Sequence, residues 1–343
     1  MTFLIGDWLG TPTWMWVVFM TLILGLLAFD LGILSRRRKA GTASASDAEP
    51  DDVPQTISIA ASLRLSVFYI SVALLFGLWV WSSLGAESAV QYYTAFAIEK
   101  ALSLDNVFVI SLIFTALAIP RQYQHRVLFW GILGVIVLRG VMIGVGTALV
   151  TGFDWVLWVF GAFLLITGLR LLIQKDKDDS PPDIERHPVA RLVRRVLPVT
   201  PALHGERFLV RMADKTGRVR LHATPLLLAL AMVEVADVVF AVDSIPAVFA
   251  ITQEPFLVYT SNIFAILGLR ALYFALAALV HRFEGLKLAL ALVLVFIGAK
   301  IFYSHFFGKL DPAISLAVTL AILVGGVLYS LWKTRGDKKE SLT

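Results

Sequence analysis

With 343 residues, 58% of them hydrophobic and 16% charged, and a mean hydropathy of +0.79, the chain is far from the balance of a soluble domain, and most of it belongs in lipid. The net charge of +5 lies in short loops between apolar stretches, which argues against a nucleic-acid partner and makes these residues determinants of membrane orientation. No cysteine is present, so disulfides, thiolate metal sites and thiol redox chemistry are excluded, and any metal site must be built from oxygen or imidazole.

The N-terminus lacks the basic region and small-residue cleavage site of a signal peptide, so its first apolar run is expected to remain as a membrane helix. Apolar runs of roughly 20 residues, enough for a hydrocarbon core of about 30 Å, fall near 13–34, 62–84, 90–118, 126–149, 153–174, 224–251, 256–280, 285–305 and 311–332. The expected fold is therefore all-α and polytopic, with about nine transmembrane helices. Arg36 to Lys39, Arg121 and Arg126, Arg282 and Lys287, and Lys333 to Lys339 mark alternate connections, whereas Ala86–Gln91, Thr151–Asp154 and Thr252–Pro255 carry no Lys or Arg. By the positive-inside rule the N-terminus lies outside and the C-terminus in the cytoplasm.

The chain then divides into a first membrane helix (1–39), a polar cytoplasmic linker (40–61), helices two to five (62–174), a cytoplasmic loop (175–223), helices six to eight (224–305), and a last helix with a cytoplasmic tail (306–343). Within 175–223, Val189, Leu192, Val193, Val196 and Leu197 recur at helical spacing among Arg191, Arg194 and Arg195, which reads as a basic amphipathic helix on the inner leaflet. Arg207–Arg211 and Arg218–His222 flank the turn-like Asp214–Gly217 and suggest a hairpin. His187, His204 and His222 match no metal-ligand spacing and read as interfacial.

An internal repeat is visible. Asp105-Asn-Val-Phe in span three answers Asp237-Val-Val-Phe in span six, Arg139 answers Arg270, and Arg170 answers Lys300, with spacings that agree within one residue. Three spans per unit is an odd number, so spans 3–5 and 6–8 form an inverted repeat about an axis in the membrane plane, a transporter architecture. In span four, Gly140 and Gly144 form a small-xxx-small pair expected to admit a neighbouring helix.

Glu99, Asp105, Glu234, Asp237 and Asp243 all fall inside spans, where each costs roughly 2.5–3.5 kcal/mol at a helix centre. Span three runs inward and span six outward, so Glu99 and Asp243 form one layer and Asp105 and Asp237 another, about 9 Å away, with Glu234 some 4.5 Å further in. Pro246 removes a backbone donor and disfavours helix at Ile245, so a break is expected there that re-aims Asp243. Hard divalent cations such as Mg²⁺, Ca²⁺ and Mn²⁺ take carboxylate, carbonyl and water oxygens, and these five acids are the candidate ligands, with Asn106 and Ser244 as further ones and Ser103 able to add a neutral oxygen. The competing reading is that the acids neutralise Lys100, Arg139, Arg170, Arg270 and Lys300 in buried pairs. Asp30, near the Arg36 cluster, reads as interfacial and outside the site.

At these residues the chain resembles the TerC family of integral membrane proteins, and within it the Alx branch. The resemblance lies in Glu99-Lys100-Ala-Leu-Ser-Leu-Asp105-Asn106-Val-Phe, in Glu234-Val-Ala-Asp237-Val-Val-Phe-Ala-Val-Asp243-Ser244-Ile-Pro246-Ala, and in Thr260-Ser-Asn-Ile-Phe-Ala-Ile-Leu-Gly-Leu-Arg270, and runs from the Asp30-Leu step to span nine. It implies manganese export across the bacterial inner membrane, with the family's intramembrane acids falling on Glu99, Asp105, Glu234, Asp237 and Asp243. The functional expectation is a secondary transporter rather than an enzyme, with no prosthetic group, Mn²⁺ (alternatively Ca²⁺, in exchange for protons) as its substrate and the bilayer as its surroundings. No Walker-type phosphate loop supports a primary pump. The alternative from another class is a membrane scaffold for stress or tellurium-resistance partners, its intramembrane charges purely structural. Protein partners are not legible from the sequence.

Overall fold

The computed structural model describes residues 6–44, 59–153, 155–173, 188–196, 198–213, 219–276, 284–308 and 310–340. The centre of the 40–61 linker, His187, and the turn at 214–217 lie outside the described residues, as do the side chains of Asp105, Arg194 and Arg270.

The chain is all-α in its membrane part. A short hairpin of β1 (Asp7–Trp8) and β2 (Thr11–Pro12) leads into α1 (Thr13–Ser44), followed by α2 (Ile59–Leu84), α3 (Ala86–Ala116), α4 (Arg121–Gly152) and α5 (Val156–Ile173). Next come α6 (Pro188–Val196) and an antiparallel pair, β3 (Leu209–Ala213) with β4 (Val219–Ala223). The second half holds α7 (Pro225–Phe249), α8 (Pro255–Leu267), α9 (Leu269–Leu276), α10 (Glu284–Phe307) and α11 (Pro312–Glu340). Helix starts follow local chemistry. Pro opens α7, α8 and α11, where its missing amide costs nothing, and the Asp311 carboxylate accepts from the Ala313 amide at 2.7 Å.

Among the described residues, seven stretches are long and apolar enough to cross a membrane. The other two expected spans are α3, whose apolarity is interrupted in mid-helix by Glu99, Lys100 and Asp105, and α10, whose apolar part, Leu288–Ser304, is shorter. α8 is the most enclosed element, buried along nearly its whole length. Phe256 and Phe264 on it pack with Phe19 of α1 and Phe76 of α2 in an aromatic core beside the buried polar residues.

Three expectations are corrected. α7 runs through Pro246 without a break and ends at Phe249, because the helix has only one more turn to make and Pro246 sits in a fully packed stretch from Ser244 to Phe249. Span seven, read as continuous, is interrupted at Gly268. There the Ala265 carbonyl, which a continuous helix would pair with the Leu269 amide, accepts from Lys100 Nζ at 2.9 Å, and a side chain inserted into the ladder in this way is a known cause of kinking. Asp30 ends the apolar stretch of α1 and is buried against the protein. The Gly140/Gly144 pair does not form a helix-packing seam: Gly140 meets the Tyr259 ring, and a Cβ at Gly144 would face open space.

The close approach occurs instead between α5 and α10. A Cβ on Gly168 would lie 2.9 Å from the Ala291 carbonyl and the Val295 amide, and one on Gly298 would lie 2.9 Å from the Gly161 carbonyl and the Leu165 amide. Contacts that advance along α5 retreat along α10, so the helices are antiparallel and touch backbone to backbone, which only glycine permits.

Candidate functional site

Four helices converge on one guanidinium. Arg139, on α4, is 1% exposed, and its partners among the described residues are also buried. Its Nη1 donates to Glu99 on α3, to Ser244 Oγ on α7 at 2.9 Å and to Asn262 Oδ1 on α8 at 3.1 Å. Its Nε and Nη2 donate to the two oxygens of Asp237 on α7, at 3.1 and 3.2 Å. Asn106 Nδ2 on α3 adds a bond to Asp237 Oδ1 at 3.3 Å. Charges removed from water must be paired and hydrogen-bonded, and the fork of Arg139 meets that requirement across two carboxylates.

The register of α3 against α7 follows from these bonds. Glu99 and Ser244 share Nη1, and seven residues later on α3 Asn106 meets Asp237, seven residues earlier on α7. The two helices are antiparallel here, and one arginine bridges depths that the sequence separates into two carboxylate layers.

The site is not fully satisfied. Glu99 Oε2 and Asn106 Oδ1 are buried and have no hydrogen-bond partner, a costly condition for polar oxygen in an apolar setting. Beside Asn106 and Asp237 lies a cavity of about 30 Å³, walled otherwise by apolar residues of α3, α4, α7, α8 and α9. By volume it holds one or two waters or a bare cation.

Of the sequence-predicted ligands, Glu99, Asp237, Asn106 and Ser244 come together. Glu234, one turn before Asp237, faces α4 instead: a Cβ on Gly134 would collide with its carboxylate, and its Oε2 is buried without a partner. Asp243 is half-buried and, like Glu234, makes no ion pair among the described residues. Asp105 precedes Asn106 on α3, but its side chain lies outside the described residues. Ser103 Oγ turns back to the Lys100 carbonyl at 2.8 Å. Among the described residues no three His, Asp or Glu side chains cluster closely enough to hold a metal ion. The donor set around Arg139 is nonetheless all oxygen, two carboxylates with a hydroxyl and neighbouring amides, which is the chemistry hard cations prefer.

The bases divide unevenly. Arg139 pairs with Glu99 and Asp237, whereas Lys100 is given to the Ala265 carbonyl, Lys300 to Ser315 Oγ at 3.1 Å, and Arg170 is exposed at the end of α5. Sequence reasoning missed Asn262 and the central position of Arg139. The signal for Asn262 was Thr260-Ser261-Asn262, three fully buried polar residues in an apolar span. Thr260 and Ser261 bond back to carbonyls of their own helix, at 2.7 Å to Phe256 and to Leu257, which leaves Asn262 to reach across.

Comparison with known proteins gives a consistent picture. The profile of the "Integral membrane protein TerC family" matches residues 84–338. An "Uncharacterized membrane protein STKORF319" of Myxococcus xanthus is 44% identical over 95% of this chain and 94% of its own length. Proteins called "Putative membrane-bound redox modulator Alx" are 42% identical in Salmonella typhi, over 96% of this chain and 98% of the relative, and 40% identical in Photorhabdus laumondii, over 97% and 98%. No solved structure matches.

Proposed function

The chain belongs to the TerC family of integral membrane proteins, and from that premise we propose that it is a secondary transporter exporting a divalent metal cation, Mn²⁺ before Ca²⁺, from the cytoplasm through an intramembrane carboxylate site. The observation that carries this reading is the buried meeting of Glu99 and Asp237 with Asn106, Ser244 and Asn262, midway along antiparallel helices and next to a small cavity. Intramembrane ionisable groups that converge in this way mark ion pathways. Asp105, Glu234 and Asp243 complete the ladder of acids, Glu234 and Asp243 on either side of Asp237 along α7.

The inverted repeat of spans 3–5 and 6–8 supports the same reading. Exchanging α3 with α7, α4 with α8 and α9, and α5 with α10 turns the packing of α3 on α8 into that of α7 on α4, and maps the α5–α10 contact onto itself. The glycine contacts obey this exchange: Gly168, Gly161 and Leu165 answer Gly298, Ala291 and Val295 at one constant offset. Transporter sites recur at the axis of such repeats. The N-terminus outside and the C-terminus in the cytoplasm of a bacterial inner membrane complete the proposal.

A second reading, a structural ion-pair core in a membrane scaffold, is favoured by the full engagement of Arg139. The Alx relatives are called redox modulators, but this chain has no cysteine thiol, so under the transport reading a redox effect follows from the metal moved. Metal uptake into inverted vesicles tests the proposal. Saturable Mn²⁺ uptake, competed by Ca²⁺ more weakly than by Mn²⁺ itself, is expected, and uptake no greater than in vesicles lacking the protein would sink it.

A further inference from the structure

We infer that Arg139 is a built-in cation that occupies the cargo site and must be displaced before a divalent metal can take it; this rests on the transport reading above. The oxygens offered to a metal are those the guanidinium already holds: Glu99 Oε1, both oxygens of Asp237, Ser244 Oγ and Asn262 Oδ1. A divalent cation seated among them alongside Arg139 would meet a like charge within hydrogen-bonding distance of the same ligands, in surroundings that screen it poorly.

Two features separate this arrangement from an ordinary buried ion pair. A pair evolved only for stability would satisfy its oxygens, yet Glu99 Oε2 and Asn106 Oδ1 are left buried without donors, the first on a ligand of the guanidinium and the second on the residue bonded to Asp237. The cavity beside Asn106 and Asp237 opens on the same group of helices. The cage therefore offers more oxygen than the guanidinium uses, and Asn106 and Asp237 line a space the size of an ion.

On this account the described arrangement is the arginine-locked state, and the guanidinium is the surrogate cargo that keeps the acids neutralised while the protein resets. Arginine suits the part because its charge is permanent and its flat fork releases from one carboxylate while still holding another. Entry of the metal and withdrawal of Arg139 are then one exchange. Metal binding is weakened by this competition, which favours release on the far side.

The test is Mn²⁺ titration of the purified full-length protein, followed by loss of the electron paramagnetic resonance signal of free Mn²⁺, for wild type, Arg139→Gln and Arg139→Lys. Arg139→Gln is expected to bind Mn²⁺ at least tenfold more tightly than wild type and to lose transport through failure to release. Arg139→Lys keeps the charge but not the fork, and is expected to bind more tightly by a smaller factor. It decides the matter alone if Arg139→Gln does not yield folded protein. Equal or weaker binding in the variants, with wild type binding normally, overturns the inference and leaves the transport reading standing. Absence of Mn²⁺ binding in wild type and variants alike overturns both.

Discussion

Removing Arg139 and removing one of its carboxylates should have very different consequences for folding. Asp237→Asn keeps the side-chain volume and one acceptor oxygen, and Arg139 retains Glu99, Ser244 and Asn262. Of the two bonds from Nε and Nη2 the amide oxygen keeps one, so the loss is that of one charge-assisted bond, about 1.5–3 kcal/mol. Arg139→Met leaves Glu99 and Asp237, both buried, without their counter-charge among the described residues. Breaking a buried pair from that side costs about 3–5 kcal/mol, enough to deplete the folded state of a marginally stable protein. Size-exclusion chromatography of detergent extracts heated in steps measures the surviving folded fraction. Asp237→Asn should stay monodisperse with a modest loss of thermal tolerance, and Arg139→Met should accumulate poorly. If Arg139→Met proves as stable as wild type, or Asp237→Asn as damaging as Arg139→Met, the ion-pair geometry described here is wrong.

Three further outcomes are expected. Gly168→Val and Gly298→Val push a side chain into backbone 2.9 Å away and should each lower folded protein through overpacking of about 1–3 kcal/mol, whereas Gly144→Val, with open space around it, should stay within about 0.5 kcal/mol of wild type; the same chromatography reads both. A cysteine at Glu87, exposed in the first turn of α3, should react with an impermeant reagent from outside intact cells, and one at Ser341 only after lysis, while labelling of both from one side would overturn the proposed orientation. The double variant Asp105→Asn/Asp237→Asn should export no less than either single variant, because loss of one paired acid already disables a shared site; additive losses in export per folded molecule would separate the two residues.

Much of this was legible in the sequence because lipid imposes long, simple patterns. Helix positions followed from apolar runs, and the acids stood out because a charge in such a run is expensive. What was not legible depended on long-range geometry. Nothing local to Pro246 reveals that the tight packing from Ser244 to Phe249 keeps α7 continuous, and nothing local to Gly268 reveals that Lys100, on a different helix, takes the Ala265 carbonyl. Arg139 was visible as a repeat marker and a counter-charge, but its hold on Glu99 and Asp237 together requires four helices in register. Glycines gave the least guidance: Gly140 and Gly144 have the textual form of a packing motif, while the close contact is made by Gly168 and Gly298, which share no such motif within either helix.

The most direct measurement of the central claim is Mn²⁺ export rate per folded transporter for Glu99→Gln, Asp105→Asn and Asp237→Asn, in inverted vesicles with protein quantified in the same preparation. The account predicts near-normal abundance and loss of export in each variant. Full activity per molecule in any of the three would remove that residue from the site, and full activity in all three would leave the buried acids with a purely structural role.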